Sequence, residues 1–382
     1  MATLASSPLN GVQRLVVKIG SALLVDQETG ALHKAWLDAL IDDVAALHAQ
    51  GLEVLLVSSG SIALGRKELD ISITSARLEE KQAAAAAGQI LLAHAYQTSL
   101  ARHKITAAQI LLSPDDTEER RRHLNARATI NTLLAKRAIP VINENDTVAT
   151  AEIRFGDNDR LGARVAQMTS ADMLVLLSDI DGLYSADPRK DESAKHIPVV
   201  ESVTDEIEAM AGEAGTGYAS GGMVTKLAAA KIAASAGCAM LIANGRAFNP
   251  LRAVEEGGIC TFFKAGATPL SARKKWIASS LRPRGKLHLD AGAVRALNSG
   301  KSLLPAGMTK VEGRFDRGDL VSVLGPDGQV LATGLTAYGA QEARQIAGLK
   351  SREIEETLGY RGRDEMIHRD DLVMTANVES GK

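Results

Sequence analysis

The sequence predicts an α/β protein in which an open, mostly parallel sheet is sandwiched by helices and followed by a small second module. Aromatic residues make up only 3% of the 382 residues, so the core must consist of Ala, Val, Leu and Ile, which suits helices packed on a parallel sheet. Strand-like and helix-like segments alternate over about 260 residues. The chain also exceeds the size at which one core usually keeps growing, which favours two domains.

The elements of the first module are short apolar runs that end in polar residues, each followed by a segment with helical spacing. Strands are predicted at 14–19, 54–57, 105–112, 139–142, 174–177 and 240–243. Helices are predicted at 37–48, 80–100, 125–136 and 226–236. We expect residues 1–262 to form this domain.

The pattern changes near Phe263, where a polar, turn-prone segment predicts a linker over 263–283. A compact α+β or barrel-like module of roughly 80 residues is expected at 284–362, with a tail at 363–382. Its strands are predicted at 286–289, 320–324 and 329–333, the last two joined by a Pro-Asp-Gly turn, and its helices at 291–298 and 341–347.

Composition limits the function classes. A net charge of −2 gives no global attraction to nucleic acid or anionic membrane. Cys238 and Cys260 lack metal-ligand spacing and are interpreted as reduced thiols. The first ten residues lack the pattern of a signal peptide, and no apolar segment is long enough to span a bilayer. We therefore expect a soluble cytoplasmic protein.

The most informative stretch is PVINENDTVATAEIRFGDND at 140–159. A buried strand is expected to end in the polar run 143–146, and a second cluster of amides and carboxylates follows at 156–159. Ligands of open α/β sheets bind outside the carboxyl ends of the strands, where such groups can hold an amino group, a cation or a catalytic lysine. The alternative is an ordinary turn rich in Asn and Asp.

Glycines and lysines at predicted strand and helix ends indicate phosphoryl transfer. Lys18 interrupts the end of an apolar strand, where an unpaired charge is costly. Lys226 opens a helix after Gly221-Gly222, which is also the setting of an ordinary capped helix. Glycines let backbone N–H groups approach an anion, and lysines neutralise phosphate oxygens. Three other motifs are interpreted as chance: a Walker-like spacing at Gly60–Gly65 without Lys-Ser/Thr, a kinase-like His368-Arg-Asp, and a calcium-like Asp179-Ile-Asp-Gly.

The motifs VVKIGSALL, VSSGSIALGR, KQAAAAAGQ, PVINENDTVATAEI, FGDND, LLSDIDGLYSADPR and SGGMVTKLAAA occur in the order found in one family. With them the chain resembles the glutamate 5-kinase family of the amino-acid kinase superfamily. KSLLPAGMTKVEG, RGDLVSV and IAGLKSREI in the second module resemble a PUA domain. The resemblance runs from Leu15 to Asp371 and implies an amino-acid kinase fold followed by a PUA-like β-barrel.

The resemblance implies that ATP and L-glutamate give γ-glutamyl phosphate and ADP, the first step of proline biosynthesis. Mg²⁺ is expected beside the nucleotide, held mainly by ATP, and no protein ligand is assigned to it. In the catalytic group, Lys18 and Lys226 neutralise the transferred phosphoryl and Asp159 holds both. The substrate group is Ser59, Gly60, Asp146, Asp157 and Asn158. The ATP group is Lys18, Gly20, Ser178, Asp179, Ser220, Gly221, Gly222, Met223, Val224, Thr225 and Lys226.

The resemblance also implies partners. A homo-oligomer formed through the first domain, feedback inhibition by proline and hand-over of the product to glutamate-5-semialdehyde dehydrogenase are expected. The segment 114–122 is a candidate for coupling to proline, and the alternative is a solvated loop. Two rival functions remain: a superfamily kinase acting on another carboxylate or phosphate, and an RNA-binding protein using basic residues of the second module. No membrane partner is expected.

Overall fold

The computed structural model describes residues 7–26, 28–72, 76–148, 158–211, 222–280 and 282–375. The chain divides into two compact units, Met1–Pro269 and Leu270–Lys382. Among the described residues, each unit builds its own large sheet, one of eight strands and one of five. The predicted fold class is confirmed.

The first unit is built on a sheet whose strand order is β3-β4-β2-β1-β5-β9-β10-β8. Its strands, with the hairpin β6–β7, are β1 (Arg14–Ile19), β2 (Glu53–Ser58), β3 (Ala107–Leu112), β4 (Ile139–Glu144), β5 (Met173–Ser178), β6 (Leu183–Tyr184), β7 (His196–Ile197), β8 (Val199–Val200), β9 (Ala239–Asn244) and β10 (Cys260–Phe263). Pairing is parallel from β3 to β9, whereas β10 runs antiparallel to β9. The polar residues that end the parallel strands therefore meet at one edge.

Helices cover both faces of this sheet. They are α1 (Ser21–Leu24), α2 (Lys34–Ala49), α3 (Ser61–Glu68), α4 (Leu78–Ala101), α5 (Pro114–Glu118), α6 (Arg120–Ala135), α7 (Asn158–Thr169), α8 (Asp205–Met210), α9 (Met223–Ser235) and α10 (Pro250–Glu255). Leu15 and Val17 of β1 pack with α2, α3, α4 and α10, and Val16 packs on the other face with α6, α7 and α9. This alternation follows from the two-residue period of a strand.

The second unit has a five-stranded sheet in the order β12-β11-β13-β14-β15. Its elements are α11 (Pro269–Ser280), β11 (Gly285–Leu289), α12 (Ala291–Asn298), β12 (Met308–Gly313), β13 (Leu320–Leu324), β14 (Val330–Leu335), α13 (Ala340–Ile346), α14 (Ser351–Leu358) and β15 (Leu372–Met374). Strands β11 and β13 are parallel and the other pairs are antiparallel. The hairpin predicted around Pro-Asp-Gly is β13–β14.

Two boundaries differ from the expected ones. Residues 269–280 of the predicted linker form α11, whose Ile277 is buried against Leu320 and Leu335. Residues of the predicted tail join the second unit, because Ile367 is fully buried and β15 extends the sheet. Both segments are polar overall, so their composition does not reveal that a few of their apolar side chains are buried by residues distant in sequence. Within the described part of the chain, no helix is both long and apolar enough to cross a membrane.

Candidate active site

The centre of the site is a buried carboxylate between two lysines. Lys18 Nζ lies 2.6 Å from Asp159 Oδ1, and Lys226 Nζ lies 3.0 Å from Asp159 Oδ2. Asp159 is 0% exposed, and the lysines are 7% and 4% exposed. Thr225 Oγ1 lies 3.2 Å from the same Oδ2. The structure thus brings the three residues of the predicted catalytic group into one contact.

The two ammonium groups determine the charge of this carboxylate. Burial by itself raises the pKa of Asp159, but the attraction and hydrogen bonds of Lys18 and Lys226 outweigh burial and hold that pKa below the ordinary 3.8. At neutral pH the centre therefore contains one negative and two positive charges, with a net charge of about +1. An anion that enters between the lysines meets this excess positive charge.

Three elements place these side chains. Lys18 is an even-numbered residue of β1, so it lies on the same face as Val16, where α7 packs. Asp159 is in the first turn of α7, and Gly162 follows one turn later, where an added Cβ would lie 3.5 Å from Lys18 Cβ. Lys226 is in the first turn of α9, which begins after Gly222. The lysine stems are thus enclosed by packing, which fixes their charged ends.

Beside this centre, Asn158 joins the ends of two strands. Its Nδ2 lies 2.9 Å from Ser58 O, 2.8 Å from Ser59 Oγ and 2.9 Å from Asn143 Oδ1. Asn158 Oδ1 accepts no hydrogen bond from the described residues. The predicted substrate residues Ser59 and Asn158 are in direct contact.

Asn143 extends this network to α3 and α4. Its Nδ2 donates to Gln89 Oε1 at 2.8 Å and to Ser61 Oγ at 3.2 Å. Ser61 Oγ in turn lies 3.4 Å from Asp146 Oδ2, so the predicted substrate residue Asp146 belongs to the same cluster. The polar run that follows β4 is therefore part of a site rather than an isolated turn.

The turn after β2 is held in a defined shape. Gly60 has φ +110°, a left-handed conformation that favours glycine, and α3 starts at the next residue. The fully buried Tyr96 of α4 donates its hydroxyl to Ser58 Oγ at 2.9 Å, and burial raises the pKa of that phenol. Ser58 Oγ also donates to Ser59 O at 3.0 Å. Helix α4 thereby supports the turn that carries Ser59 and Gly60.

Those predicted ATP residues that the structure describes lie at the same edge of the sheet. Gly20 follows β1, and Ser178 ends β5, which pairs directly with β1. Ser178 Oγ donates to Asp179 Oδ1 at 3.2 Å. Gly222, Met223, Val224 and Thr225 lead into Lys226 at the start of α9. Asp157, Ser220 and Gly221 lie outside the described residues.

The structure adds residues that sequence reasoning did not assign. Asn143, Ser61, Gln89 and Tyr96 all support the Asn158 network. Asn143 belonged to the polar run noted above, which was a usable signal. Gln89 and Tyr96 lie in an Ala-rich helix, and only the path of that helix past β4 and the β2 turn reveals their contacts.

Comparison with known proteins places the chain in a family. The model of the amino acid kinase family matches residues 13–244, and the model of the PUA domain matches residues 285–358. A glutamate 5-kinase of Paramagnetospirillum magneticum is 61% identical over 368 residues, which is 96% of this chain and 99% of that protein. A glutamate 5-kinase of Rhizobium rhizogenes is 59% identical over 376 residues, which is 98% of this chain and 96% of that protein.

A solved structure is similar at lower identity. The UMP kinase of Ureaplasma parvum is 16% identical, with a TM-score of 0.48, and the match covers 66% of this chain and 99% of that chain. The family-model matches and the near full-length relatives are sufficient for an assignment. The chain belongs to the amino acid kinase family, among the proteins named glutamate 5-kinase, and it carries a PUA domain.

Proposed function

We infer that this chain transfers the γ-phosphoryl group of ATP to the γ-carboxylate of L-glutamate, which is the first step of proline biosynthesis. The observation that carries this inference is the buried Lys18–Asp159–Lys226 centre next to the Asn158 network. It is supported by a relative named glutamate 5-kinase that is 61% identical over 96% of this chain. Positive charge and amino-acid-binding groups lie side by side, as this reaction requires.

The chemistry needs charge neutralisation and no general base. An oxygen of the γ-carboxylate bonds to the γ-phosphorus, and the bond from that phosphorus to the bridging oxygen breaks, which releases ADP and γ-glutamyl phosphate. The carboxylate is already ionised at neutral pH. Lys18 and Lys226 stabilise the charge on the moving group, and Asp159 keeps both ammonium groups in place. We assign the backbone of Gly20 and Gly60 to the transferred phosphoryl.

Glutamate is assigned to the Asn158 network. Its ammonium group needs acceptors, and Asn158 Oδ1 and the Asp146 carboxylate supply them. The Ser59 hydroxyl is a donor for a substrate carboxylate. Asp157 is assigned to the same group because it directly precedes Asn158. Asn158 and Asp159 are consecutive, so the substrate site and the lysine centre adjoin.

ATP is assigned to Ser178 and Asp179 on one side and to the segment 220–226 on the other. Among the described residues there is no group of three or more His, Cys, Asp or Glu side chains that could hold a metal ion. Asp159 is already paired with two lysines. Mg²⁺ therefore fits as an ion held by the phosphates of ATP and by water, which is its usual mode of binding with nucleotides.

Trapping the acyl phosphate tests the proposal. The full chain is incubated with ATP, Mg²⁺ and hydroxylamine, and L-glutamate, N-acetylglutamate or L-aspartate is offered in separate reactions. We expect hydroxamate with L-glutamate, because hydroxylamine captures γ-glutamyl phosphate. Lys18→Ala and Lys226→Ala should each lower its rate by roughly 10²–10³, the usual loss for one charge-stabilising group.

Each other result has a defined meaning. Hydroxamate with another acid alone would keep the phosphoryl transfer and overturn the substrate. No hydroxamate with any acid, from protein whose circular dichroism and thermal unfolding show a folded chain, would overturn the transfer itself. Near-normal turnover by Lys18→Ala would remove that lysine from the mechanism.

We also propose that the first unit forms a homo-oligomer through the outer side of α4 and the edge strand β3. Ile90 of α4 is 73% exposed, and Leu91 and Leu111 are 39% and 36% exposed, although all three are apolar. Strand β3 ends the sheet, and exposed edges and apolar patches commonly mark association surfaces.

Light scattering coupled to gel filtration checks this surface. We expect the full chain to elute as an oligomer and Ile90→Asp to elute as a smaller species, because a charge on α4 would oppose association. Val330→Asp is the matched control, since Val330 is also exposed, at 46%, but lies in the second unit. A monomeric wild-type chain, or an unchanged Ile90→Asp oligomer, would contradict the proposal.

The remaining expectations stay predictions. They are inhibition by proline, hand-over of the product to glutamate-5-semialdehyde dehydrogenase and a cytoplasmic location, while RNA binding by the PUA domain stays a rival hypothesis. For RNA binding, several of the basic side chains in this unit are already paired. Lys310 lies 2.5 Å from Glu312, and Arg284 lies 3.7 Å from Asp319.

A further inference from the structure

We propose that Gln89 is a positioning residue of the glutamate site and acts only through Asn143. This inference rests on the glutamate kinase function proposed above. Gln89 lies on α4. The Asn143 side chain bonds Asn158 through its Oδ1 and Gln89 through its Nδ2, so Asn143 lies between the other two in the hydrogen-bonded chain. Its side chain makes one hydrogen bond to the described residues, the one it accepts from Asn143 Nδ2 at 2.8 Å.

The orientation of the three amides is fixed by one backbone group. Ser58 O can only accept a hydrogen bond, and it lies 2.9 Å from the Asn158 amide, so Nδ2 rather than Oδ1 of Asn158 must face it. The Asn143 amide lies 2.9 Å from Asn158 Nδ2, where an NH2 group would place donor against donor, so Asn143 Oδ1 rather than Nδ2 faces Asn158. Asn143 Nδ2 is thereby directed to the opposite side.

Gln89 completes this relay at its far end. Asn143 is only 3% exposed, so its two Nδ2 hydrogens need protein acceptors, and these are Gln89 Oε1 and Ser61 Oγ. Without Gln89 Oε1, one buried N–H of Asn143 loses its partner. The Asn143 amide then gains by rotating toward another acceptor, which withdraws Oδ1 from Asn158.

The consequence falls on substrate binding and not on phosphoryl transfer. Asn158 Oδ1, which we assign to the ammonium group of glutamate, is held in place by the interior bonds of Nδ2. No described hydrogen bond connects Gln89 with Lys18, Lys226 or Asp159. Loss of Gln89 Oε1 should therefore raise KM for glutamate and leave KM for ATP and kcat nearly unchanged.

A double-mutant cycle tests the proposal on the full chain. Hydroxamate kinetics are measured for wild type, Gln89→Met, Asn143→Leu and the double variant. Methionine keeps the length of glutamine, but its thioether sulfur is only a weak acceptor. We expect Gln89→Met to raise KM for glutamate about tenfold, the usual factor for one buried hydrogen bond, and to add no further rise in the Asn143→Leu background. Gln97→Met, an exposed glutamine of the same helix, is the control and should match wild type.

Three results would overturn the inference: an unchanged KM for glutamate in Gln89→Met, an equal rise in KM for ATP, or additive effects of the two substitutions. The proposed function can fail separately, since the wild-type protein would then make no hydroxamate from glutamate. In that case the same cycle is measured by urea unfolding of the four proteins. The contact exists without substrate, so non-additive midpoints are still expected, and additive midpoints would still overturn it.

Discussion

Replacing Asp159 by asparagine should lower kcat for hydroxamate formation by roughly 10²–10³, although the side chain keeps its size. Asparagine has the size of aspartate but no charge. Lys18 Nζ and Lys226 Nζ, at 2.6 and 3.0 Å from the carboxylate, would then repel each other across a neutral group. The two ammonium groups would separate, so neither would remain where the transferred phosphoryl needs it.

The same substitution should change stability and its pH dependence. Removing one member of a buried ion pair commonly costs about 3–5 kcal/mol, because the remaining charges lose their partner. In the wild type the folded-state pKa of Asp159 lies below 3.8, so ionised Asp159 stabilises the fold above pH 3.8. That contribution is lost as the pH falls further, through the lowered folded-state pKa. Urea unfolding of Asp159→Asn should therefore depend less steeply on pH in this acidic range.

Asp327→Asn is the control for both measurements, because Asp327 is an exposed turn residue in the second unit. It should match wild type in kcat and in urea midpoint. An Asp159→Asn protein with wild-type turnover would show that the lysines do not depend on this carboxylate. If the stability of Asp159→Asn and of the wild type fell equally at acidic pH, Asp159 would not titrate as its contacts imply.

Replacing Gly88 by alanine should disrupt the crossing of α3 and α4. An added Cβ at Gly88 would overlap the Ser61 carbonyl oxygen, and an added Cβ at Gly65 would overlap the Ala84 carbonyl oxygen. Both obstacles are helix backbone, which cannot turn aside as a side chain can. Overpacking of this kind commonly costs about 1–3 kcal/mol, so a clearly lower urea midpoint is expected.

The effect of Gly88→Ala should extend to the substrate. Displacement of the first turn of α3 moves Ser61 and the turn at Gly60, so we expect KM for glutamate to rise as well. Gly162→Ala is the matched control for stability, because an added Cβ there meets Leu174 at 3.4 Å and Lys18 at 3.5 Å, ordinary contact distances. Alanine favours helix over glycine by about 1 kcal/mol, so this control should be as stable as wild type or more so. A stable Gly88→Ala protein would contradict the close crossing.

Much of the first unit could be predicted from local pattern. Its parallel strands are apolar runs that end in polar residues, and Lys18 and Ser178 mark such ends. The conflict of Lys18 with its apolar surroundings was a sound physical signal, since the structure resolves it with a buried partner, Asp159. Individual residues carry such signals when their chemistry disagrees with their neighbours in sequence.

Features that depend on a distant partner could not be predicted. Strand β12 is mostly polar and buries only Met308, so it shows no strand-like alternation, and only its pairing with β11 defines it. The glycine spacing at Gly60–Gly65 resembles that of a phosphate loop, but in the structure each glycine is required for a different reason. Gly60 adopts a positive φ, and Gly65 allows α4 to pass closely.

The consecutive placement of Asn158 and Asp159 limits how the specificity of such a kinase can be redesigned. Neighbouring helix residues project about 100° apart, so one turn of α7 sets both the Asn158 amide, which we propose holds the amino acid, and the Asp159 carboxylate that anchors the lysines. A shift of that turn to suit a shorter or longer acid would move Asp159, and with it the two lysines, at the same time. A change of substrate length therefore has to come from residues outside that turn.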